Sequence, residues 1–89
     1  MNSSENWVLI ADKDVFKVLK RFPRKDAEAI VRVFDLMSQN PFDGDIEKMK
    51  GKEYLWRRRV GSYRIFYELR VDIREINVIE VKRRTSNTY

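Results

Sequence analysis

The stretch that decides the fold is L-W-R-R-R-V-G-S-Y-R-I-F-Y-E, residues 55–68. Gly61-Ser62 suits a two-residue hairpin loop of type II′, because glycine readily adopts the positive φ angle that the first loop position needs. Such a loop fixes the register of the strands on either side of it. The predicted cross-strand pairs are Val60 with Tyr63, Arg59 with Arg64, Arg58 with Ile65, Arg57 with Phe66, and Trp56 with Tyr67.

The two faces of this hairpin differ in character, because successive side chains of a strand point to opposite sides. One face is apolar except for Arg58, and we predict that it packs on the core: Trp56, Val60, Tyr63, Ile65, Tyr67 and Leu69. The other face collects Arg57, Arg59 and Arg64, with Phe66 beside them. The hairpin therefore predicts a basic surface on one side of a sheet.

Arg59 and Arg64 lie directly opposite each other in this register, and like charges so placed destabilise a sheet. A phosphate group bound between them would remove the repulsion, and a planar guanidinium matches the geometry of phosphate oxygens. The competing interpretation is that Arg57 pairs with Glu68 or another carboxylate, and that the arginines only solvate an open sheet face.

The first half of the chain predicts a strand followed by two helices. The apolar run at 7–10 is typical of a short buried strand, and Asp12 is a plausible helix cap. Apolar residues between Val15 and Phe22 follow at helical spacing until Pro23 interrupts them. A second helix is predicted from about Arg24 to about residue 40, where a second proline follows, so the two helices form an antiparallel hairpin.

The second half predicts three strands. A loop at 41–45 and a basic segment at 48–52 lead into the hairpin, and a last strand is predicted at 75–81, before a basic tail at 82–89. The apolar run of that last strand favours an interior position in the sheet. The order is therefore β-α-α-β-β-β, an α+β fold in which a two-helix hairpin packs on one face of a small, mainly antiparallel sheet.

Composition limits the classes of function. The 89 residues are expected to form a single domain, 1–89, and 43% hydrophobic residues suffice for one modest core. Cysteine and histidine are absent, which excludes disulfides, thiolate chemistry and the usual neutral-pH proton carrier. The apolar run at 7–11 is too short for a membrane span or a signal-peptide core, so we expect a cytoplasmic protein without membrane association.

Charge is distributed unevenly along the chain. Residues 1–47 carry 7 basic and 9 acidic side chains, whereas residues 48–89 carry 12 and 5. An anionic partner, with nucleic acid first, is therefore expected for the second half, although a basic solvated surface would show the same asymmetry.

Residues 55–68 strongly resemble the RelE/ParE toxin superfamily, whose hallmark is a stretch of the form Y-R-x-R-V-G-x-Y-R-I-x-Y-E. Three further segments agree: F-K-V-L-K-R-F-P at 16–23, N-P at 40–41 followed by K-M-K-G at 48–51, and the last strand at 78–84. The resemblance covers residues 7–89. It implies a toxin of a type II toxin–antitoxin pair, and RelE-like members are ribosome-dependent mRNA endonucleases. In these the 2′-OH of the RNA attacks the adjacent phosphate, so the resemblance implies neither a metal nor a cofactor.

Carried over position by position, the resemblance implies a catalytic set of Arg57, Arg59, Arg64, Arg83 and Tyr89. Arg57 and Arg59 would hold the phosphate and help to activate the 2′-OH, while Arg64 would stabilise the developing charge. Arg83 would assist the leaving 5′-oxygen, and Tyr89 would stack on a base. Arginine is a poor general base because its pKa exceeds about 12, so the proton acceptor stays open. Further candidates for RNA binding are Lys48, Lys50, Lys52 and Arg84.

Two other functions are compatible with the same residues. ParE-like relatives share the fold but inhibit DNA gyrase, and they need no nuclease residues. A non-catalytic member would only bind nucleic acid or antitoxin. The spacing of Arg83 and Tyr89, together with Arg57, favours the nuclease. The expected partners are an acidic antitoxin, the ribosome and mRNA, and the toxin–antitoxin complex is expected to bind operator DNA through the antitoxin.

Overall fold

A computed structural model describes residues 6–52 and 54–84. Its elements follow the order β-α-α-β-β-β-β. They are β1 (Val8–Ala11), α1 (Lys13–Leu19), α2 (Arg24–Gln39), β2 (Ile46–Lys48), β3 (Leu55–Val60), β4 (Tyr63–Arg70) and β5 (Glu75–Arg83). The strands form one sheet in the order β1-β5-β4-β3-β2, in which only the β1–β5 pair is parallel among the described strands. The predicted α+β class and the mainly antiparallel sheet are confirmed.

The β3–β4 hairpin has the register that the sequence predicts. Val60 pairs with Tyr63 and Arg59 with Arg64, and the three further pairs also agree. Gly61 has φ +57°, and Arg74 is the only non-glycine residue of the described part of the chain with a positive φ. A positive first loop residue followed by a negative second one is the pattern of a type II′ turn. The turn thus fixes which side chains share a face.

Both helices pack on one side of the sheet and share one core with it. Every second residue of β4 is buried there, from Tyr63 to Leu69. The remaining buried core residues are Val15 and Leu19 of α1, Ile30, Phe34 and Met37 of α2, and Ile76, Val78 and Val81 of β5. We call this side the helix-covered face. The opposite side, called the open face, carries no helix among the residues described.

Several predicted boundaries are wrong in detail. The first helix ends at Leu19 rather than near Phe22, and a turn then leads to Pro23, which precedes α2. Asp12 occupies the cap position of α1, but its side chain makes no capping hydrogen bond. Strand β5 extends to Arg83, so the start of the predicted tail belongs to the sheet. As predicted, β5 is an interior strand.

Strand β2 at the edge of the sheet was not predicted from the sequence. It is only three residues long, and it pairs Ile46 with Arg58, Glu47 with Arg57, and Lys48 with Trp56. Three residues are too few for an alternating pattern to be recognised. This edge strand brings acidic side chains next to the arginines of β3.

Strand β5 contains an irregularity opposite the middle of β4. Phe66 pairs with Glu80, whereas the next residue, Tyr67, pairs with Val78. Ile79 is therefore an extra residue, as in a β-bulge. The bulge changes which residues of β5 point to the open face beyond this position.

No helix in residues 6–52 and 54–84 is long and apolar enough to span a membrane.

Candidate phosphate-binding site on the open face

The open face is arranged in rows, because directly paired residues of neighbouring strands point to the same side. One row is cationic and runs across three strands as Arg59, Arg64 and Lys82. The adjoining row mixes charge with an aromatic ring, and it consists of Glu47, Arg57, Phe66 and Glu80. The register therefore gathers Arg57, Arg59 and Arg64, which we call the arginine cluster, in one part of the sheet.

Two members of the arginine cluster are paired with carboxylates at the sheet edge. An Nη of Arg57 contacts Glu47 Oε1, and Arg59 Nε lies 3.1 Å from Asp45 Oδ2. The backbone N–H of Arg59 also donates to the carbonyl oxygen of Asp45 at 2.9 Å. The expectation that a carboxylate could pair with Arg57 is thus confirmed, but the partner is Glu47 rather than Glu68. These acidic partners lower the net charge of the cluster without removing it.

Arg64 differs from the other two arginines, because no described carboxylate forms an ion pair with it. Loss of hydration lowers its pKa, and repulsion from Arg57, Arg84 and Arg59 lowers it further, although Glu47 opposes this shift. A guanidinium surrounded by like charges is a good place for an added anion. Of the three arginines, Arg64 is therefore the one that can contact a phosphate without giving up a described carboxylate partner.

A small cavity of about 110 Å³ lies at the centre of this arrangement. It is lined by Asp45, Glu47, Arg57, Arg59 and Arg64. Within residues 6–52 and 54–84, no three acidic side chains are grouped closely enough to hold a metal ion. The chemistry available to the cavity from these side chains is anion binding by guanidinium groups and proton transfer by carboxylates.

Arg83 does not join the arginine cluster. It pairs with Tyr63, which faces the helices, and its guanidinium carbon lies 5.8 Å from the centre of the Tyr63 ring. The hydroxyl of Tyr63 donates to Asp26 Oδ2 at 2.7 Å. Burial raises the pKa of Tyr63, and the bond to Asp26 adds to the shift. The structure thus places Arg83 on the helix-covered side of the sheet, while Lys82 takes the position beside Arg64.

The other predicted RNA-binding residues are divided between the two sides. Lys48 pairs with Trp56 and points to the helix-covered side, while Lys50 and Lys52 belong to the loop after β2. The backbone N–H of Arg84 bonds to the Ser62 carbonyl oxygen, and its charge acts on Arg64. The structure therefore brings Arg84 to the cluster but not the three lysines. Tyr89 lies outside the described residues.

Arg58, the exception on the apolar side of the hairpin, reaches the edge of the sheet. Its Nη1 donates to the carbonyl oxygen of Asp43 at 2.9 Å. Gly44 allows this approach, because a Cβ at that position would lie 2.5 Å from the Arg58 guanidinium carbon. Arg58 thus ties the loop before β2 to β3, and so helps to hold Asp45 and Glu47 beside the arginines.

Comparison with known proteins places this arrangement in a family. The family model described as the ParE toxin of the type II toxin–antitoxin system parDE matches residues 7–88. The chain belongs to the RelE/ParE toxin superfamily. A protein described as a candidate RelE1 toxin of Methanocaldococcus jannaschii is 29% identical over 75 residues, which is 81% of this chain and 83% of that protein. This RelE/ParE chain is accordingly a toxin of a toxin–antitoxin system.

Solved structures of RelE toxins have the same fold as this RelE/ParE chain. The archaeal RelE–RelB complex from Pyrococcus horikoshii OT3 superposes with a TM-score of 0.80 at 23% identity, covering 92% of this chain and 99% of that one. The RelB–RelE antitoxin–toxin complex from Methanococcus jannaschii is 32% identical, with a TM-score of 0.60 and coverage of 83% and 88%. Both relatives were solved as complexes with a RelB antitoxin.

Proposed function

We propose that this RelE/ParE toxin is an endoribonuclease that cleaves mRNA on the ribosome by attack of an RNA 2′-OH on the adjacent phosphate. The observation that carries the proposal is the cavity in which Arg57, Arg59 and Arg64 meet Asp45 and Glu47. Three guanidiniums can hold a phosphate, and a carboxylate beside them can accept a proton. The alternative, in which the arginines only solvate the sheet, accounts for the two arginine–carboxylate pairs but gives no role to Arg64, which has no ion-pair partner among the described residues.

In the proposed reaction, the O2′ atom forms a bond to phosphorus while the bond from phosphorus to O5′ breaks. The proton of the 2′-OH passes to a carboxylate, and the leaving O5′ takes a proton from solvent. The products are a 2′,3′-cyclic phosphate and a 5′-hydroxyl end. Arg64 stabilises the extra negative charge that develops on the phosphate oxygens, because it has no ion-pair partner among the described residues to exchange for the substrate.

Glu47 is the best candidate for the proton acceptor that the sequence left open. Its side chain is 65% exposed and contacts Arg57. A bound phosphate can therefore replace Glu47 as the partner of Arg57, which leaves the carboxylate free. A carboxylate accepts protons near neutral pH far more readily than a guanidinium, whose pKa lies above about 12. In this scheme Arg57 and Arg59 hold the phosphate and Glu47 removes the proton.

The remaining residues keep predicted roles within this proposal. Arg83 can assist the leaving oxygen only if its side chain leaves Tyr63 and crosses the end of the sheet. Tyr89 would stack on a base, and Lys48, Lys50 and Lys52 would contact RNA or ribosome outside the cavity. The partners would be mRNA and ribosomes in the cytoplasm and an acidic antitoxin of the RelB kind, through which the complex would bind operator DNA.

Inhibition of DNA gyrase is the second candidate function. The observation that favours it is the matching family model, which is that of the ParE toxin. A gyrase inhibitor would need the fold and a binding surface, but neither Glu47 nor Arg64 would have a chemical role.

The deciding experiment combines a cleavage assay and a supercoiling assay on the same purified proteins. Ribosomes programmed with a reporter mRNA are incubated with wild type, Arg64→Ala and Arg83→Ala, with the exposed α2 variant Arg32→Ala as control. We expect codon-phased cuts with wild type and Arg32→Ala, and their loss with both Arg64→Ala and Arg83→Ala. Intact mRNA together with blocked gyrase supercoiling would support the second function. If wild type neither cleaves the mRNA nor blocks supercoiling, both functions are excluded.

A further inference from the structure

An aromatic ring lies in the middle of the open face, next to the arginine cluster. Phe66 is half-buried and is directly opposed by Arg57 on one side and Glu80 on the other. Along its own strand, its neighbours on the same face are Arg64 and Glu68. Its neighbours across and along the strands are therefore charged, and neither helix covers this side of the sheet.

The position of Phe66 matches what one nucleotide of a single strand requires. Residues two apart on a strand are separated by about 7 Å, so Phe66 lies one step from Arg64 on the same face. A phosphate held at Arg64 therefore brings the base of the same or the next nucleotide over the Phe66 ring. Sheets that bind single-stranded RNA use aromatic side chains in this way, because every base has a face that can stack.

The irregularity in β5 lies at this same position. The extra residue Ile79 falls between the partners of Phe66 and Tyr67, and it directs Glu80 to the open face beside the ring. Bulges are frequent where a sheet re-aims a side chain at a functional site. Lys82 Nζ lies 3.9 Å from Glu80 Oε2 and connects the carboxylate with the cationic row.

We propose that Phe66 is the stacking platform for one unpaired base next to the cleaved phosphate, and that Glu80 reads the edge of that base. This inference rests on the proposed ribonuclease function and adds a base-selecting subsite to it. A carboxylate only accepts hydrogen bonds, so Glu80 favours bases with an amino group. Adenine, cytosine and guanine have one, whereas uracil offers only N3–H between two carbonyl oxygens that repel a carboxylate, so the subsite selects against uracil.

The test measures kcat/KM for cleavage of ribosome-bound mRNAs that carry each of the four bases, or an abasic nucleotide, at each position of the A-site codon. We expect Phe66→Leu to lower kcat/KM by about 5-fold or more for all four bases, because stacking tolerates any base. Removing the base at one codon position should lower kcat/KM of wild type by a similar factor. The same removal should not lower kcat/KM of Phe66→Leu any further. Phe66→Tyr, which keeps a ring, should restore most of the activity.

Glu80→Gln tests the reading of the base edge. It should raise cleavage at uracil relative to the other three bases at the same codon position, because an amide can also donate a hydrogen bond. The matched controls are Phe16→Leu, an aromatic change on the exposed side of α1, and Glu75→Gln, an acidic change at the start of β5. Both should leave the base preference unchanged.

The outcomes separate this inference from the proposed function. If wild type cleaves mRNA and Phe66→Leu equals it on every base, the subsite is rejected and the nuclease stands. If Phe66→Leu loses the same factor on abasic and intact mRNA, the ring supports only the sheet and the subsite is likewise rejected. If wild type cleaves no mRNA, the proposed function fails and this inference fails with it.

Discussion

The arginines of the open face show how much a single side chain depends on its neighbours. Arg57 and Arg59 have carboxylate partners, whereas the pKa of Arg64 is lowered by loss of hydration and then by the positive charges around it. Residue type alone would give the three the same role. Their contacts suggest instead that two of them exchange a carboxylate for the substrate and one receives it directly.

Substitution of Glu47 tests the role of the carboxylates at this scale. We expect Glu47→Gln to lower the single-turnover cleavage rate by about 100-fold or more, because loss of a general base removes an effect of that size. The matched control is Asp45→Asn, which changes a neighbouring carboxylate paired with Arg59. Rates are measured on programmed ribosomes with saturating toxin. Equal losses in the two variants would show that both carboxylates only hold the arginines.

Tyr67 provides a prediction for stability against pH. It is fully buried, its hydroxyl donates to the Pro41 carbonyl oxygen at 3.4 Å, and burial raises its pKa from 10.0 to about 12. The neutral ring therefore stabilises the folded state fully below pH 10, and this contribution, of the order of 2–3 kcal/mol, is lost between pH 10 and 12. Urea unfolding across this range should show a smaller decline in Tyr67→Phe than in wild type. Parallel curves would contradict the assignment.

At the scale of elements, the β3–β4 hairpin determines the geometry of the site. Its turn sets the pairing of Arg59 with Arg64 and the alternation that separates the two faces. Strand β2 adds Glu47 and the loop before it adds Asp45, and the bulge in β5 adds Glu80. The turn, the edge strand and the bulge thus together form one surface.

The turn itself can be tested by substitution. Gly61→Ala should destabilise the protein by about 1–2 kcal/mol, because Gly61 has φ +57° and a Cβ is unfavourable there. Ser62→Ala is the matched control in the same loop, where φ is negative, and it should change the free energy of unfolding little. Both values come from urea denaturation. A Gly61→Ala protein as stable as Ser62→Ala would mean that the loop tolerates another turn type.

The hairpin could be predicted because a strong turn signal and clear alternation agree over fourteen residues. Glu47 could not, because three residues of an edge strand carry no periodic signal and only the pairing with β3 places them. The sequence also did not show to which face of the sheet the side chain of Arg83 points. Strict alternation from the buried Val78 would put Arg83 on the open face. The bulge at Ile79 instead puts Arg83 on the helix-covered face, together with Val81 and Val78. Bulges depend on the whole sheet, and a local pattern does not show them.

At the scale of the whole molecule, the excess of positive charge in the second half of the chain is partly balanced inside the structure. The acidic residues that precede the hairpin in sequence are the ones that fold against it, as Asp45 and Glu47 show. The excess of +7 in residues 48–89, which is 12 basic minus 5 acidic side chains, therefore overstates the charge that this surface offers to an anionic partner. The fold distributes charge more evenly than the sequence suggests.

Salt dependence of RNA binding measures this balance. A single-stranded oligoribonucleotide with 2′-O-methyl groups, which prevent cleavage, is titrated with toxin at several salt concentrations. Arg64→Ala should make the slope of log affinity against log salt shallower by about 0.7, the value for one phosphate contact of a single strand. Asp45→Asn should make it steeper by up to about the same amount, because Arg59 is then free to contact a further phosphate and displace its counterion. Arg32→Ala serves as the control, and unchanged slopes in both variants would exclude the cluster as the RNA contact.

The parallel pairing of β1 with β5 has a consequence for folding of the chain during its synthesis. Val8 pairs with Glu75, 67 residues further along the chain, so an early segment must wait for a late one before the sheet can close. While β5 is still inside the exit tunnel, β1 has no partner strand, and β4 has a partner on one edge only. The arginine cluster also lacks its neighbour Lys82 at that stage. The sheet can therefore be completed only after most of the chain has been synthesised.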